Sequence, residues 1–231
     1  MNTEIELKYQ LSESIKENSL VVANITNVLM AENYSFEMHQ YQLINNYFDN
    51  DDLDLRNIDF GLRIRAKTIL DKKDKKDKKD KNQPHSFEQT IKTAGNVIDG
   101  LHKRPEYNVD ILDSQLNLTL FPVNIWPAGT NIEQLQRSLH VIFSTNFMRQ
   151  TWLIHQGKNV IELALDLGEI YTLKGEPKLY INEIEIELVS GEEQALFMLA
   201  KQLETVIEMT PSNESKAARG YRLYYDETTA G

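Results

Sequence analysis

Charged and apolar side chains alternate along five strand-like stretches of this chain. The first is EIELKYQL, in which Glu4, Glu6 and Lys8 alternate with Ile5 and Leu7. Because successive side chains of a β-strand point to opposite faces, all the ionisable side chains of such a stretch lie on one face. The same pattern returns in GLRIRA, FEQTIKT, IELALDLG and INEIEIELV.

This repetition constrains the architecture more than any single stretch does. One amphipathic strand usually turns its charges to water. A sheet closed into a barrel, however, must place one face of every strand inside. Here the polar faces are rich in carboxylates at the two ends of the chain and rich in cations between them. The pattern therefore predicts a charged tunnel.

Strand and helix signals give about eight strands and three main helices. We expect strands at about residues 4–11, 41–49, 62–66, 86–94, 103–109, 141–155, 160–167 and 179–188. Helices are expected from a cap at Ser12 to about residue 32, over residues 132–139, and from a capping box at Ser190 and Glu193 to about residue 209. Eight strands suffice to close a barrel that holds one small ligand. With the helices outside it, the fold class is α+β.

A low-complexity tract, DKKDKKDKKDK, interrupts this pattern at residues 71–81. Its seven lysines and four aspartates give it a charge of +3. Such a segment cannot bury a core, so we expect a disordered loop between two strands. No proline- or serine-rich linker divides the rest, and residues 1–231 are interpreted as a single domain.

Composition excludes several classes of function. A formal net charge of −10 argues against nucleic-acid binding, which normally needs a basic surface. The first strand starts too early to leave room for a secretion signal, and no apolar run approaches the roughly 20 residues needed to cross a membrane. The absence of cysteine fits a reducing compartment. We therefore expect a cytoplasmic protein without a membrane partner, and nothing in the sequence specifies its oligomeric state.

The candidate chemistry is that of carboxylates opposed by cations. Glu4, Glu6, Glu185 and Glu187 share single faces of two strands, and carboxylates are the ligands that Mg²⁺ or Mn²⁺ prefer. A set of cations suited to linked phosphate groups opposes them: Lys8, Arg63, Arg65, Lys92, Arg104, Arg149, Lys216 and Arg219. The sequence has no P-loop, dinucleotide-binding or zinc-protease motif and no nucleophilic cysteine. This favours direct attack by water over a covalent intermediate.

Several motifs, in their order, resemble those of the CYTH or triphosphate tunnel metalloenzyme superfamily. They are the E-x-E-x-K start, YFD at 47–49, LRIR at 62–65, TIK at 90–92, E-x-E-x-E at 183–187 and SKAARGY at 215–221. Within the superfamily, FEQTIKTAG, GLHKRPEYN, FSTNFMRQTW and SKAARGYRLYY are similar to segments of bacterial inorganic triphosphatases. The chain departs from many of those relatives by ending soon after SKAARGY, without their helical CHAD domain.

The resemblance implies an eight-stranded antiparallel tunnel in which metal-bound carboxylates and basic residues hold a triphosphate. Carried over by position, it places Glu4, Glu6, Glu185 and Glu187 at a metal site, with Asp166 and Glu106 contributing to a second metal or to water orientation. It assigns catalytic roles to Glu4, Glu6, Lys8 and Asp166. It assigns phosphate binding to Lys8, Arg63, Arg65, Lys92, Arg149 and Lys216, to which the sequence adds Arg104 and Arg219. Glu162 and Glu183 fit a functional role and a surface ion pair equally well.

The predicted reaction is metal-dependent hydrolysis of inorganic triphosphate to phosphate and pyrophosphate, with a small-molecule substrate and Mg²⁺ or Mn²⁺ as cofactor. The alternatives are a thiamine or nucleoside triphosphatase, a class IV adenylate cyclase, and a sensor that binds polyphosphate or nucleotide without turnover. A base or thiamine ring would need an aromatic platform, for which Trp126 and Trp152 are the candidates. Core packing is the favoured interpretation of both tryptophans. Tyr47 and Asp49 are interpreted as structural.

Overall fold

A computed structural model of the protein describes residues 2–12, 18–70, 84–98 and 100–229. The lysine–aspartate tract at 71–81 lies outside these residues, and so does the segment 13–17 that follows the predicted cap at Ser12. No helix in the described part of the chain is long and apolar enough to cross a membrane.

Eight antiparallel strands close into a barrel, as predicted. The order around it is β1-β9-β8-β7-β2-β3-β4-β6, and pairing of β6 with β1 closes the ring. Two short strands extend the sheet, β5 beside β6 and β10 beside β1. The strands are β1 Asn2–Leu11, β2 Ser35–Asp49, β3 Gly61–Ile69, β4 Ser86–Lys92, β5 Asn96–Ile98, β6 Leu101–Ile111, β7 His140–Gln156, β8 Asn159–Thr172, β9 Leu179–Ser190 and β10 Met209–Pro211.

Within the described residues, five α-helices accompany the barrel: α1 Asn18–Ala31, α2 Asp54–Asn57, α3 Ile132–Ser138, α4 Gln194–Leu203 and α5 Lys216–Thr229. Helices α1 and α4 cover the outward, apolar faces of β1, β7, β8 and β9. Their contact forms the largest core cluster, in which Ile25, Leu29, Trp152 and Leu196 are fully buried. The wall that carries the acidic strands therefore has an apolar outer side and a charged inner side.

The structure corrects four details of the sequence prediction. The predicted capping box does not form, because Ser190 ends β9 and the Glu193 carboxylate binds Lys103 at 2.7 Å instead. Helix α4 ends at Leu203 rather than near residue 209, where β10 begins. Strand β2 begins six residues before the predicted start at residue 41, and the three-residue strands β5 and β10 were not predicted.

Helix α5 is fixed to the barrel by its own apolar cluster, which includes Phe143 and Tyr221. A Cβ at Gly220 would overlap the Phe143 ring, so glycine permits this close approach. The Tyr221 hydroxyl donates a 3.0 Å hydrogen bond to Asp49, whose carboxylate also accepts backbone N–H groups at the start of α2. These contacts fit the structural role predicted for Asp49. They position the first turn of α5, which begins with Lys216.

Both tryptophans are core residues. Trp152 is fully buried, and its Nε1 donates to Thr26 Oγ1 at 3.3 Å. Trp126 is also buried and packs against Phe60 and Phe121 on the other side of the barrel. The interpretation of the tryptophans as packing residues is therefore confirmed.

Candidate active site

The inner faces of the barrel strands enclose a cavity of about 540 Å³. Nine lysines and arginines and eight aspartates and glutamates line it. The alternation found in the sequence explains this lining, because each strand points its charged residues inward and its apolar residues toward the outer core. A cavity of such mixed charge suits a polyanion together with a cation better than either one alone.

Twelve of the predicted site residues line this cavity, and two do not. The twelve are Glu4, Glu6, Lys8, Arg63, Arg65, Lys92, Arg104, Glu106, Arg149, Glu185, Glu187 and Lys216. Asp166 and Arg219 are not among the lining residues, and only 0% and 9% of their surfaces are exposed.

One part of the lining is a group of glutamates, here called the glutamate group, made of Glu4, Glu6, Glu162 and Glu187. Strand pairing brings them together, since Glu187 lies opposite Glu6 on β1 and opposite Glu162 on β8. Of the four, Glu4 is held most closely by a cation, with Lys92 Nζ 2.6 Å from its Oε1. The sequence left the role of Glu162 open, and the register places it beside Glu187.

Crowding of carboxylates shifts their pKa values in this group. Burial and the neighbouring Glu4, Glu6 and Glu162 raise the pKa of Glu187 to about 8. Burial, with Glu4 and Glu185, also raises the pKa of Glu6 to about 7, although Lys8 lies 2.9 Å away. For Glu4, the attraction of Lys92 and Lys8 outweighs burial and lowers the pKa to about 2.

The raised pKa values of Glu6 and Glu187 indicate that negative charge on these two buried carboxylates is not fully compensated by the neighbouring protein cations. Hard divalent cations bind oxygen ligands of this kind. The donor set and its unbalanced charge therefore fit a divalent metal ion.

A second group of charged side chains lies beside the glutamate group, and its carboxylates are neutralised by cations of the protein. This buried ion cluster consists of Asp166, Glu183, Glu185, Arg149, Lys216 and Arg219. Arg149 donates to both Asp166 oxygens, at 2.7 and 2.6 Å, and to Glu185 at 2.5 Å. Lys216 contacts Asp166 at 2.6 Å and Glu185 at 3.0 Å, and also binds Glu183.

The buried ion cluster also contains a triad of carboxylates compact enough to suggest a metal site. Oxygens of Asp166, Glu183 and Glu185 lie within 4.8 Å of one another. Arg149 and Lys216 already bind these oxygens, however, and they hold the pKa of Asp166 below its usual value in spite of burial. In this structure the carboxylates of the triad are therefore bound by protein cations. The catalytic and metal roles of Asp166 stay predictions.

The cations on the opposite wall are less fully neutralised. Arg63 approaches Glu106 only to 3.5 Å, and its buried Nε has no hydrogen-bond partner among the described residues. Arg65 forms no ion pair with a described carboxylate, and burial together with Arg63 and Arg149 lowers its pKa to about 10. Arg63 thus has a buried N–H without a described acceptor, and Arg65 has no described carboxylate partner, so both arginines have N–H groups left for an anion.

Two predicted substrate-binding arginines donate to backbone carbonyls. Arg104 Nε donates to the Thr93 carbonyl and its Nη2 to the Asp59 carbonyl, each at 2.5 Å, so this side chain connects two chain segments at the cavity wall. Arg219 donates to Glu183 at 2.9 Å and to the Tyr180 carbonyl and is not among the residues that line the cavity. The phosphate-binding roles of both arginines stay predictions.

Sequence reasoning missed neutral polar residues on the inner faces. Asn45 and Thr145 are fully buried and bonded to each other, while Thr90 donates to Asn108 at 2.7 Å in the cavity lining. A signal was present, because Asn45 lies two residues from the buried Leu43 and Tyr47 and therefore shares their inward face.

Solved structures from distant organisms share this fold. A candidate adenylyl cyclase from Hippeastrum, described as having a dominant triphosphatase activity, matches with a TM-score of 0.56 at 18% identity over 95% of both chains. A protein of Pyrococcus horikoshii OT3 matches with a TM-score of 0.55 at 19% identity, over 97% of this chain and 99% of that one. At such identities the likeness is one of fold.

Sequence comparison identifies the family. An inorganic triphosphatase of Haemophilus influenzae is 35% identical over 225 residues, which are 96% of this chain and 55% of that protein. The chain thus spans about half the length of this curated relative. The model of the CYTH domain matches residues 2–221, nearly the whole chain. The protein described here belongs to the CYTH domain family.

Proposed function

We propose that this protein hydrolyses inorganic triphosphate to phosphate and pyrophosphate inside the barrel. The observation that carries the proposal is a pair of arginines, Arg63 and Arg65, whose N–H groups are not all bound by the described residues. A buried guanidinium N–H without a partner is unfavourable, and a phosphate oxygen is the acceptor whose charge and geometry best suit it. The name of the Haemophilus influenzae relative supports the same substrate.

The glutamate group would hold the metal ion, with Glu6 and Glu187 as its main ligands and Mg²⁺ or Mn²⁺ as the ion. A bound divalent ion supplies neutralisation of phosphate charge and a lowered pKa of the attacking water. Their position supports this assignment, since Glu187 lies opposite both Glu6 and Glu162, and a bound cation would favour the ionised, acceptor-only form of these carboxylates.

The other lining residues bind and orient the substrate. Arg63, Arg65 and Lys92 carry fixed positive charge along one wall and would hold successive phosphoryl groups in line for attack. Lys8, bonded to Glu185 at 2.7 Å and 2.9 Å from Glu6, has one N–H donor left on the other side. Lys216, whose three N–H groups face three carboxylates, contributes positive charge there. Preorganised cations of this kind stabilise the charge that develops on the leaving pyrophosphate.

The lining favours inorganic triphosphate over its organic relatives. Among the described lining residues, Tyr47 is the one large aromatic side chain, and it already stacks on Phe143 with ring centroids 4.5 Å apart. Both tryptophans lie in the core. A thiamine or nucleobase ring would therefore find no free aromatic platform, which argues against the thiamine triphosphatase, nucleoside triphosphatase and cyclase alternatives.

Phosphate release from a panel of substrates tests the proposal. The panel contains tripolyphosphate, pyrophosphate, ATP and thiamine triphosphate, each with Mg²⁺, with Mn²⁺ and with a chelator. We expect kcat/KM for tripolyphosphate to exceed that for ATP by at least about tenfold, or about 1.4 kcal/mol, and to require the metal. Equal rates on ATP would indicate a general triphosphatase, and cyclic AMP would indicate a cyclase. Tight tripolyphosphate binding without phosphate release would indicate a sensor.

A substitution at Glu187 tests the metal assignment. Glu187→Gln removes one ligand charge, so hydrolysis should fall at low Mg²⁺ and recover in part when Mg²⁺ or Mn²⁺ is raised. Lys92→Ala provides the contrast, since loss of a phosphate ligand should not be rescued by metal. Superimposable metal titrations for the two variants would contradict the division of roles. The melting temperature of Glu187→Gln should not fall, because the change relieves repulsion within the glutamate group.

The single-domain organisation of residues 1–231 and the cytoplasmic location stay predictions. The proposed partner is a small-molecule triphosphate.

A further inference from the structure

Three polar residues form a row across the inner face of the barrel. In the strand register, Asn45 on β2 lies opposite Thr145 on β7 and also opposite Arg65 on β3. Asn45 and Thr145 are fully buried, with 0% of their surface exposed, whereas Arg65 borders the cavity. The row therefore leads from the closed wall to the proposed substrate.

Hydrogen bonds connect the row in one direction. Arg65 Nε donates to Asn45 Oδ1 at 2.7 Å, and Asn45 Nδ2 donates to Thr145 Oγ1 at 2.8 Å. An arginine nitrogen only donates, so the Asn45 oxygen must face it and the amide nitrogen must face Thr145. The threonine hydroxyl thus fixes the orientation of the amide, and the amide fixes one edge of the guanidinium.

This arrangement leaves the other edge of Arg65 for a ligand. Neither terminal nitrogen of Arg65 has a hydrogen-bond or ion-pair partner among the described residues. Asn45 differs from the carboxylates elsewhere in the tunnel because it orients the guanidinium without neutralising it. An arginine oriented by a neutral acceptor keeps its full charge and its two parallel N–H groups for an anion.

We propose that Asn45, held by Thr145, is a positioning residue that orients Arg65 toward a phosphoryl group of the substrate. The inference rests on the proposed function and extends it to residues that make no contact with substrate themselves. Its physical content is preorganisation, because a donor aligned before the reaction stabilises the developing charge without reorienting.

A double-mutant cycle on kcat/KM for tripolyphosphate tests the coupling. Asn45→Ala alone should lower kcat/KM about tenfold, and Arg65→Ala alone should lower it about a hundredfold. In both variants kcat should fall as well as KM rise. If Asn45 acts through Arg65, the double variant should lie within about threefold of Arg65→Ala. Independent losses that multiply to about a thousandfold would overturn the proposal. A merely structural role would give such multiplication, because it would not depend on Arg65.

Variants of Thr145 provide a second arm if Asn45→Ala does not fold. Thr145→Val keeps the shape but removes the hydroxyl, so it should lower kcat/KM severalfold. Thr145→Ser restores the hydroxyl and should remain within about twofold of the wild type. Equal activities of the valine and serine variants would also overturn the proposal.

The matched control lies on the same two strands. Asn46 accepts a 2.8 Å hydrogen bond from Ser144 on the opposite face of the sheet, so Asn46→Ala removes a similar cross-strand contact away from the cavity. It should leave kcat/KM unchanged. Absence of hydrolysis in the wild type would count against the proposed function, and the cycle would then be measured on the Kd of tripolyphosphate. Additivity in a protein that does hydrolyse or bind tripolyphosphate would count against the positioning role alone.

Discussion

Replacing Arg63 with alanine is expected to lower kcat/KM for tripolyphosphate by about two to three orders of magnitude. That is about the loss caused by removing one preorganised donor from an active site. Arg63 should have a large effect because its buried Nε has no partner in the described part of the chain and its carboxylate neighbour, Glu106, remains 3.5 Å away. Initial rates over a range of tripolyphosphate concentrations give the measurement.

Two further variants make the Arg63 result specific. Arg63→Lys keeps the charge but not the planar pair of donors, so it should recover only part of the lost activity. Arg137→Ala removes an exposed arginine whose partner Glu133 lies 3.1 Å away on α3, and it should leave activity unchanged. Full activity in Arg63→Ala, or complete rescue of that variant by added Mg²⁺, would contradict a phosphate-binding role.

The barrel was predictable because its main signal is local. In a strand, residues two apart share a face, so Glu4, Glu6 and Lys8 identify an inner face without knowledge of any other strand. The same rule applies to the faces that carry Arg63 and Glu187. The strands that escaped prediction, β5 and β10, are three residues long and too short to show a period.

The division of the carboxylates into two groups was not predictable from the same signal. Glu185 and Glu187 are two residues apart on β9, and the sequence gives them the same environment. In the structure, Lys8, Lys216 and Arg149 lower the pKa of Glu185 well below its usual value despite burial, while Glu187 meets other glutamates and has its pKa raised to about 8. The difference comes from strand register and from the position of α5, which are properties of the whole fold.

Polar residues on inner faces were missed for a related reason. Asn45 carries no charge, so a search for ionisable residues passes over it, although its spacing of two residues from Leu43 and Tyr47 places it on their inward face. Its relation to Arg65 depends on pairing between β2 and β3. Predicting which residues are neighbours across two strands therefore requires the strand register, whereas predicting which face a residue lies on requires only the sequence.

The buried ion cluster leads to the largest expected effect on stability. Replacing Asp166 with alanine should lower the free energy of unfolding by about 3–5 kcal/mol, because it leaves Arg149 and Lys216 buried without one of their carboxylates. Both cations contact Asp166 at 2.6 Å, and Asp166 is fully buried. Urea-induced unfolding, followed by circular dichroism, measures the change. Glu133→Ala removes an exposed partner on α3 and should change stability by less than about 0.5 kcal/mol.

The same measurement distinguishes an ion-pair role of Asp166 from the metal role suggested by the sequence. If Asp166 serves Arg149 and Lys216, the loss of stability should be equal in Mg²⁺ and in a chelator, because the uncompensated charges belong to the protein. Asp166→Asn should reproduce most of the loss, since the amide keeps the shape but not the charge that the two cations need. A loss of less than about 1 kcal/mol in the free energy of unfolding, or a loss seen only with Mg²⁺, would favour a metal-binding role for Asp166. The expected result would instead leave the glutamate group as the place where the metal binds, with the buried ion cluster holding α5 and its Lys216 against the cavity.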